Sequence, residues 1–322
     1  MLLTFFLLIV ALAGLVVTAD RFVEGCAAIA NNFGLAPIII GVTIIGLGTS
    51  APEMLVSGIA AMEGNVGLAI GNALGSNVAN IGLILGITLL IKPIAVQSSI
   101  FRCEIPALLI VTLGACVLVA DYSLDRIDGV ALVLFLVVFL AWLVKLCISQ
   151  NKSDPMIEEI ESELPETMSS LLAFGWTIGG LVGLILSSKL LVWAAVSIAQ
   201  AFGVSDLIIG LTIIALGTSL PELAASIASV LKNNADMAIG NVIGSNIYNL
   251  TAVLSIPALL APTKLAAHIV NRDFLVMGLF TVLLCVLVAD VFRRGKLGRT
   301  SGFALLFLYC GYQLLLFYSI QS

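Results

Sequence analysis

Long apolar runs separated by short polar breaks follow one another along the whole chain. Most are close to the ~20 residues that a helix needs to cross the hydrocarbon of a bilayer. The runs predict helices over 2–30, 36–62, 66–90, 105–120 and 129–148. Five more are predicted over 169–202, 207–231, 237–260, 273–289 and 301–320. The one linker-like stretch, Gln150 to Thr167, holds Glu158, Glu159, Glu161, Glu163 and Glu166. It divides the chain into a first unit, 1–149, an acidic linker, 150–168, and a second unit, 169–322. Met1 to Ala19 has the length of a secretory leader. It lacks a positive flank and a clear cleavage site, so it reads as the start of the first spanning helix.

The two units repeat one another. GVTIIGLGTSAPE, from Gly41, returns as GLTIIALGTSLPE, from Gly210. AIGNALGSNVANIGLILG, from Ala69, returns as AIGNVIGSNIYNLTAVLS, from Ala238, at the same separation of 169 residues. Repeats with an odd number of spans enter the membrane in opposite senses, an arrangement found in secondary transporters with the substrate site at the repeat interface. The expected fold class is therefore all-α integral membrane: ten transmembrane helices in two inverted five-helix repeats, with broken helices at a central ion site. With the N-terminus outside, Lys92, Arg102, Lys145, Lys152, Lys232, Arg293, Arg294, Lys296 and Arg299 fall in cytoplasmic loops. Only Arg126, Lys264 and Arg272 fall in outer ones. That asymmetry fits the positive-inside rule and places both termini outside and the linker in the cytoplasm.

Composition narrows the function. Of 322 residues, 61% are hydrophobic and 10% charged, and the mean hydropathy is +1.19. A soluble domain would have to leave much of that apolar surface in water. A net charge of −5 gives no basic footprint for nucleic acid. The single histidine, His268, argues against a His-built metal centre. Cys26, Cys103, Cys116, Cys147, Cys285 and Cys310 form no C-x-x-C pair and read as small buried hydrophobes. No cofactor and no obligate protein partner is expected; the partners are the bilayer and the transported ions.

Each unit sets a glutamate inside an apolar run, Glu53 and Glu222, with no lysine or arginine nearby in the same run. An ionisable group at the bilayer centre costs ~2.5–3.5 kcal/mol on insertion scales. A bound cation is the simplest compensation. Gly48-Thr49-Ser50-Ala51-Pro52 and Gly217-Thr218-Ser219-Leu220-Pro221 precede the acids. Proline removes a backbone donor and opposes the preceding turn, so a break is expected there. Broken helices within a membrane are tolerated only where protein or a cavity covers them. Carboxylate, hydroxyl and carbonyl oxygens suit Ca2+ and Na+, whereas transition metals favour imidazole or thiolate.

The third and eighth helices add Asn72, Ser76 and Asn80, and Asn241, Ser245 and Asn249, each set four apart on one face. Asn77 and Asn246 fall beside those stripes and are given a supporting role. Gly71-x-x-x-Gly75 and Gly240-x-x-x-Gly244 are small-residue patterns for close helix packing, a role that complements a site. A lone hydroxyl in a spanning helix usually bonds back to its own backbone; hydroxyls doubled beside a buried acid favour ligation. Asp20 and Lys189 correspond between the units and read as local polar pairs or water-path residues. The acidic linker reads as a solvated charge run, since it lacks the ligand spacing of an EF-hand.

GLGTSAPE with GNALGSNVAN, and ALGTSLPE with GNVIGSNIYN, together resemble the Ca2+/cation antiporter superfamily: the sodium/calcium exchangers and their bacterial relatives. The resemblance covers nearly the whole chain. It implies ten spans, with long tilted first helices in each repeat that slide past a stable core, and competition of Na+ and Ca2+ for a central cluster. Matched position by position, the implied ligands are Thr49, Ser50, Glu53, Ser76 and Asn80, with Thr218, Ser219, Glu222, Ser245 and Asn249. Many members carry an acid at one of the positions held here by Asn80 and Asn249. This chain has amides at both, which leaves two formal negative charges and leaves the coupling ratio open.

The expected function is exchange of Ca2+ for Na+ by alternating access, in a bacterial inner membrane. A proton-coupled Ca2+/cation antiporter is the alternative, with H+ as counter-ion. An intramembrane enzyme would need a nucleophile with its base, or a metal motif; H-E-x-x-H and G-x-S-x-G are both absent from the sequence. A passive channel is separated from these by saturable, coupled flux.

Overall fold

The computed structural model describes residues 1–34, 40–95, 101–149, 168–232, 234–294 and 296–321. The acidic linker, Gln150 to Thr167, lies outside the described residues. The described residues are almost all helical. The helices are α1 (Leu2–Asn32), α2 (Gly46–Thr49), α3 (Ala51–Met62), α4 (Val66–Ala79), α5 (Gly86–Ile91), α6 (Phe101–Leu118) and α7 (Arg126–Ser149). They continue as α8 (Ser170–Phe202), α9 (Asp206–Ile209), α10 (Ala215–Thr218), α11 (Leu220–Leu231), α12 (Ala235–Tyr248), α13 (Ser255–Leu260), α14 (Leu275–Arg294) and α15 (Arg299–Gln321). Wider π turns at Ile40–Ile45, Asn80–Leu85, Gly210–Ile214, Asn249–Val253 and Ile269–Phe274 link several of these.

Eight helical stretches among the described residues are long and apolar enough to cross a membrane, and α9 to α11 add a ninth bent by 41°. Large apolar side chains such as Leu3, Phe6, Ile110, Leu113, Val117 and Phe307 point outward. A bilayer covers such a surface, and the chain is an integral membrane protein. Antiparallel pairing of Ser123–Leu124 (β1) with Thr263–Lys264 (β2) ties two loops together.

The long helices α1 and α8 cross antiparallel along a seam of small residues. A Cβ at Gly25 would meet Thr177, one at Gly180 would meet Phe22, and one at Gly14 would meet Ser187. The helices that carry the doubled motifs lie inside. A Cβ on Gly75 would come within 2.7 Å of Leu211 backbone atoms, and one on Gly210 within 2.5 Å of the Leu68 carbonyl. Only glycine lets these two backbones touch, as the small-residue pattern at Gly71 and Gly75 predicts. In the second pattern, a Cβ on Gly244 would meet the Tyr248 ring at 3.6 Å among the described residues, an ordinary contact.

The cysteines need a correction. Cys285 is buried and Cys26 and Cys116 are half-buried, but Cys310 is exposed. An outward thiol among lipid chains costs little because it is only weakly polar.

Candidate ion-binding site

Both glutamates sit in the first turn after a helix break. Pro52 and Pro221 occupy the starts of α3 and α11, where a missing N–H breaks no helical bond. The residues just before, Ser50 and Ser219, leave helical geometry in the same way, with φ, ψ of −86°, 6° and −85°, 8°. π turns lie upstream of each break. Such turns recur at functional sites because they shift carbonyls off the regular ladder. Glu53 and Glu222 are 1% and 2% exposed, so both carboxyls are taken from water.

Contacts between the halves bring the motifs together. Ser219 Oγ donates to Glu53 Oε1 at 3.3 Å. Thr218 Oγ1 donates to Asn72 Oδ1 at 3.0 Å. Asn72 Nδ2 in turn donates to the Glu53 carbonyl at 3.2 Å and to Ser57 Oγ at 2.9 Å. The second half repeats this last device: Asn241 Nδ2 donates to the Glu222 carbonyl at 3.2 Å and to Ser226 Oγ at 3.1 Å. Each asparagine thus clamps α4 or α12 to the helix that bears its glutamate. Ser219, three residues before Glu222, thus brings the second break against the Glu53 carboxyl. The π turns that begin at Asn80 and Asn249 each pack on the opposite half's motif helix.

Twelve buried side-chain atoms of the two motifs have no hydrogen-bond partner among the described residues. They are Ser50 Oγ, Glu53 Oε2, Ser76 Oγ, Glu222 Oε2, Ser245 Oγ and Asn249 Oδ1, with both amide atoms of Asn77, Asn80 and Asn246. Buried polar atoms are nearly always satisfied in folded proteins, so a cluster of exceptions calls for a ligand or ordered water. Asn77 and Asn246 are wholly buried and as unpartnered as the stripe residues. The sequence signal for them was their doubling in register. The threonines divide. Thr218 is fully buried, while Thr49 is half-buried and its Oγ1 donates to the Gly46 carbonyl at 3.1 Å.

The halves are not equivalent in exposure. Pro52, Asn72 and Thr218 are buried, whereas Pro221, Asn241 and Thr49 are half-buried. By these exposures the flank formed by α11 and α12 is the more open side of the site.

A second buried charged group lies away from these motifs and was missed in the sequence. Arg272 Nε donates to Asp273 Oδ1 at 2.8 Å and its Nη2 to Oδ2 at 3.1 Å. Tyr312 Oη donates to Asp273 Oδ1 at 3.0 Å. Neighbouring opposite charges gave no periodic signal that would have marked them as buried.

The sequence profile of the sodium/calcium exchanger protein family matches residues 3–145 and 172–318. The chain belongs to the sodium/calcium exchanger family. Membership makes it a cation antiporter and not an enzyme. It is 45% identical to the putative antiporter CaxA of Alkalimonas amylolytica, over 97% of this chain and 98% of that one. It is 40% identical to the inner membrane protein YrbG of Escherichia coli, over 89% of each. Among solved structures, the sodium-calcium exchanger NCX_Mj soaked with Na+ and Sr2+ matches with a TM-score of 0.66 and 33% identity, over 96% of this chain and 97% of that one.

Proposed function

We propose that this exchanger moves Ca2+ one way and Na+ the other through a single central site. The observation that carries the reading is the meeting of two buried carboxylates with a cluster of unpartnered oxygens from both halves. Hard oxygen donors of this kind suit Ca2+ and Na+. Glu53 and Glu222 supply the charge. Ser50, Ser76, Asn80, Ser219, Ser245 and Asn249 supply neutral oxygens, with Thr49 and Thr218 at the rim of the breaks. The names of MaX1, a sodium/calcium exchanger of Methanosarcina acetivorans at 25% identity, and of NCX_Mj support Na+ as counter-ion.

The architecture we infer is ten spans in two inverted repeats, 1–149 and 169–322, joined by the cytoplasmic linker 150–168. The 169-residue register and the antiparallel crossing of α1 and α8, which open the two repeats, support it. The basic loops favour termini outside an inner membrane of bacterial type. In that orientation the more open flank, α11 with α12, faces the cytoplasm. Alternating access then consists of opening this flank in one state and the α3–α4 flank in the other, while α1 and α8 shift across the core.

The test is 45Ca2+ uptake into proteoliposomes loaded with Na+ and diluted into Na+-free buffer, with a K+-loaded control. Uptake that needs internal Na+ is the expected result. Uptake driven by an outward H+ gradient and indifferent to Na+ would replace this reading with proton coupling.

A further inference from the structure

The span made of α4, the π turn Asn80–Leu85 and α5 is fastened along one side to α15. The two run antiparallel, and the contacts follow in order. Ile94 and Leu297 exchange backbone hydrogen bonds, and Arg299 Nε donates to the Leu90 carbonyl at 3.1 Å. A Cβ on Gly302 would stand 2.8 Å from the Gly86 carbonyl, and one on Gly86 2.8 Å from Leu306 Cγ. A Cβ on Gly82 would stand 2.8 Å from Tyr309 Cβ and 2.9 Å from Phe280 Cε1 of α14. Helices approach so closely only where a side chain is missing. One turn beyond Tyr309, Tyr312 Oη donates to Asp273, which also accepts from Arg272 just ahead of α14. The buried Asp273 group therefore ties α14 to α15, and the two helices make one wall behind the π turn.

That wall accounts for the π turn itself. Such turns are rare and collect at functional sites, and irregular backbone persists where its surroundings over-determine it. This one begins on Asn80, whose amide is buried and has no hydrogen-bond partner among the described residues. The corresponding turn of the second unit, Asn249–Val253, is held differently. Thr251 and Ser255 stand there, 169 residues on from Gly82 and Gly86. Their hydroxyls donate to the Ile247 and Ala252 carbonyls of their own span, each at 2.7 Å. One turn is shaped by its own side chains, the other by what lies behind it.

We propose that Gly82 and Tyr312 are positioning residues for the ion site: Gly82 seats the π turn on the wall, Tyr312 fixes the wall through Asp273, and together they set where the Asn80 amide points. The proposal rests on the reading of Asn80 as an ion ligand. It is tested with the full chain in Na+-loaded proteoliposomes, reading Ca2+ half-saturation and maximal rate separately, beside the melting temperature in detergent. Asn80→Ala sets the reference for loss of the ligand. Gly82→Ala is expected to raise the Ca2+ half-saturation about 10-fold to 100-fold, as when the support of a metal ligand is lost. Tyr312→Phe, which leaves Asp273 its bonds to Arg272, is expected to raise it at least about threefold. Adding Gly82→Ala to Asn80→Ala should raise it no further, because the amide that the turn aims is already gone. A wall that is structural alone lowers the melting temperature and leaves half-saturation within about twofold of wild type. That result in Tyr312→Phe would overturn the proposal, even where Gly82→Ala fails to fold. A Gly82→Ala effect that multiplies the effect of Asn80→Ala would overturn it too. Unchanged half-saturation in Asn80→Ala would remove Asn80 from the ion site, and this proposal with it.

Discussion

Replacing Glu53 or Glu222 by glutamine keeps the shape of the side chain and removes one of the two charges. A carboxylate oxygen binds Ca2+ at about 2.4 Å. At an effective dielectric constant of about 20, one carboxylate charge and a dication at that distance attract by ~14 kcal/mol. Most of this is offset by the desolvation of both groups. Removal of one partner from a buried charge pair costs 2–5 kcal/mol in measured systems. We expect Ca2+ affinity to fall between about 30-fold and several thousand-fold in either variant. Folding should survive, because a buried neutral amide costs less than a buried carboxylate. Thermal melting in detergent separates the two effects. A ligand at 100 times its dissociation constant adds ~2.7 kcal/mol to stability. Wild-type protein should show a matching Ca2+-induced rise in melting temperature. Glu53→Gln and Glu222→Gln should melt at or above the ion-free wild type and lose that rise. Substantial Ca2+ uptake, or an intact Ca2+ shift, in either variant would refute the two-carboxylate site.

Three further outcomes follow from the geometry. Exchange should weaken steadily as pH falls toward 5, since protons occupy the carboxylates that Ca2+ needs; a flat profile of initial rates would count against this. Thr218→Val should cost ~1–3 kcal/mol by leaving buried Asn72 Oδ1 unsatisfied, whereas Thr49→Val, which loses only a bond to its own helix, should be near neutral; equal melting shifts would contradict the asymmetry of the halves. Arg272→Leu should destabilise by ~3–5 kcal/mol, because it strands the carboxylate of wholly buried Asp273, and a variant that melts like wild type would show that pair to be dispensable.

Much of this protein is legible in one dimension. A bilayer allows few solutions for a polar backbone, so apolar runs, punctuated by charge, report spans directly. The predicted helix over 169–202 and the observed α8, Ser170–Phe202, differ by one residue. The run from residue 66 to 90 emerges as α4, a π turn and α5, ending at Ile91. Proline before each glutamate announced a break, and breaks occur at Ser50 and Ser219. Duplication did the rest, since chance does not repeat a buried acid with its hydroxyls and amides at one spacing. The lateral position of a side chain was harder to read. Asn72 and Asn77 are the same residue type five apart on one helix, yet one is tied down by three partners and the other has none.

What the sequence determined alone is the class of molecule, the two repeats, and which residue types meet in the middle, because the membrane's dielectric penalises every misplaced charge and periodicity records the response. Only the tertiary structure decided which half reaches into the other. Ser219 leans on Glu53, Thr218 locks Asn72, and Thr49 turns back to its own helix. Two nearly identical motifs cannot encode that difference locally. It arises when the halves pack unequally, leaving Thr218 buried and Thr49 half-buried.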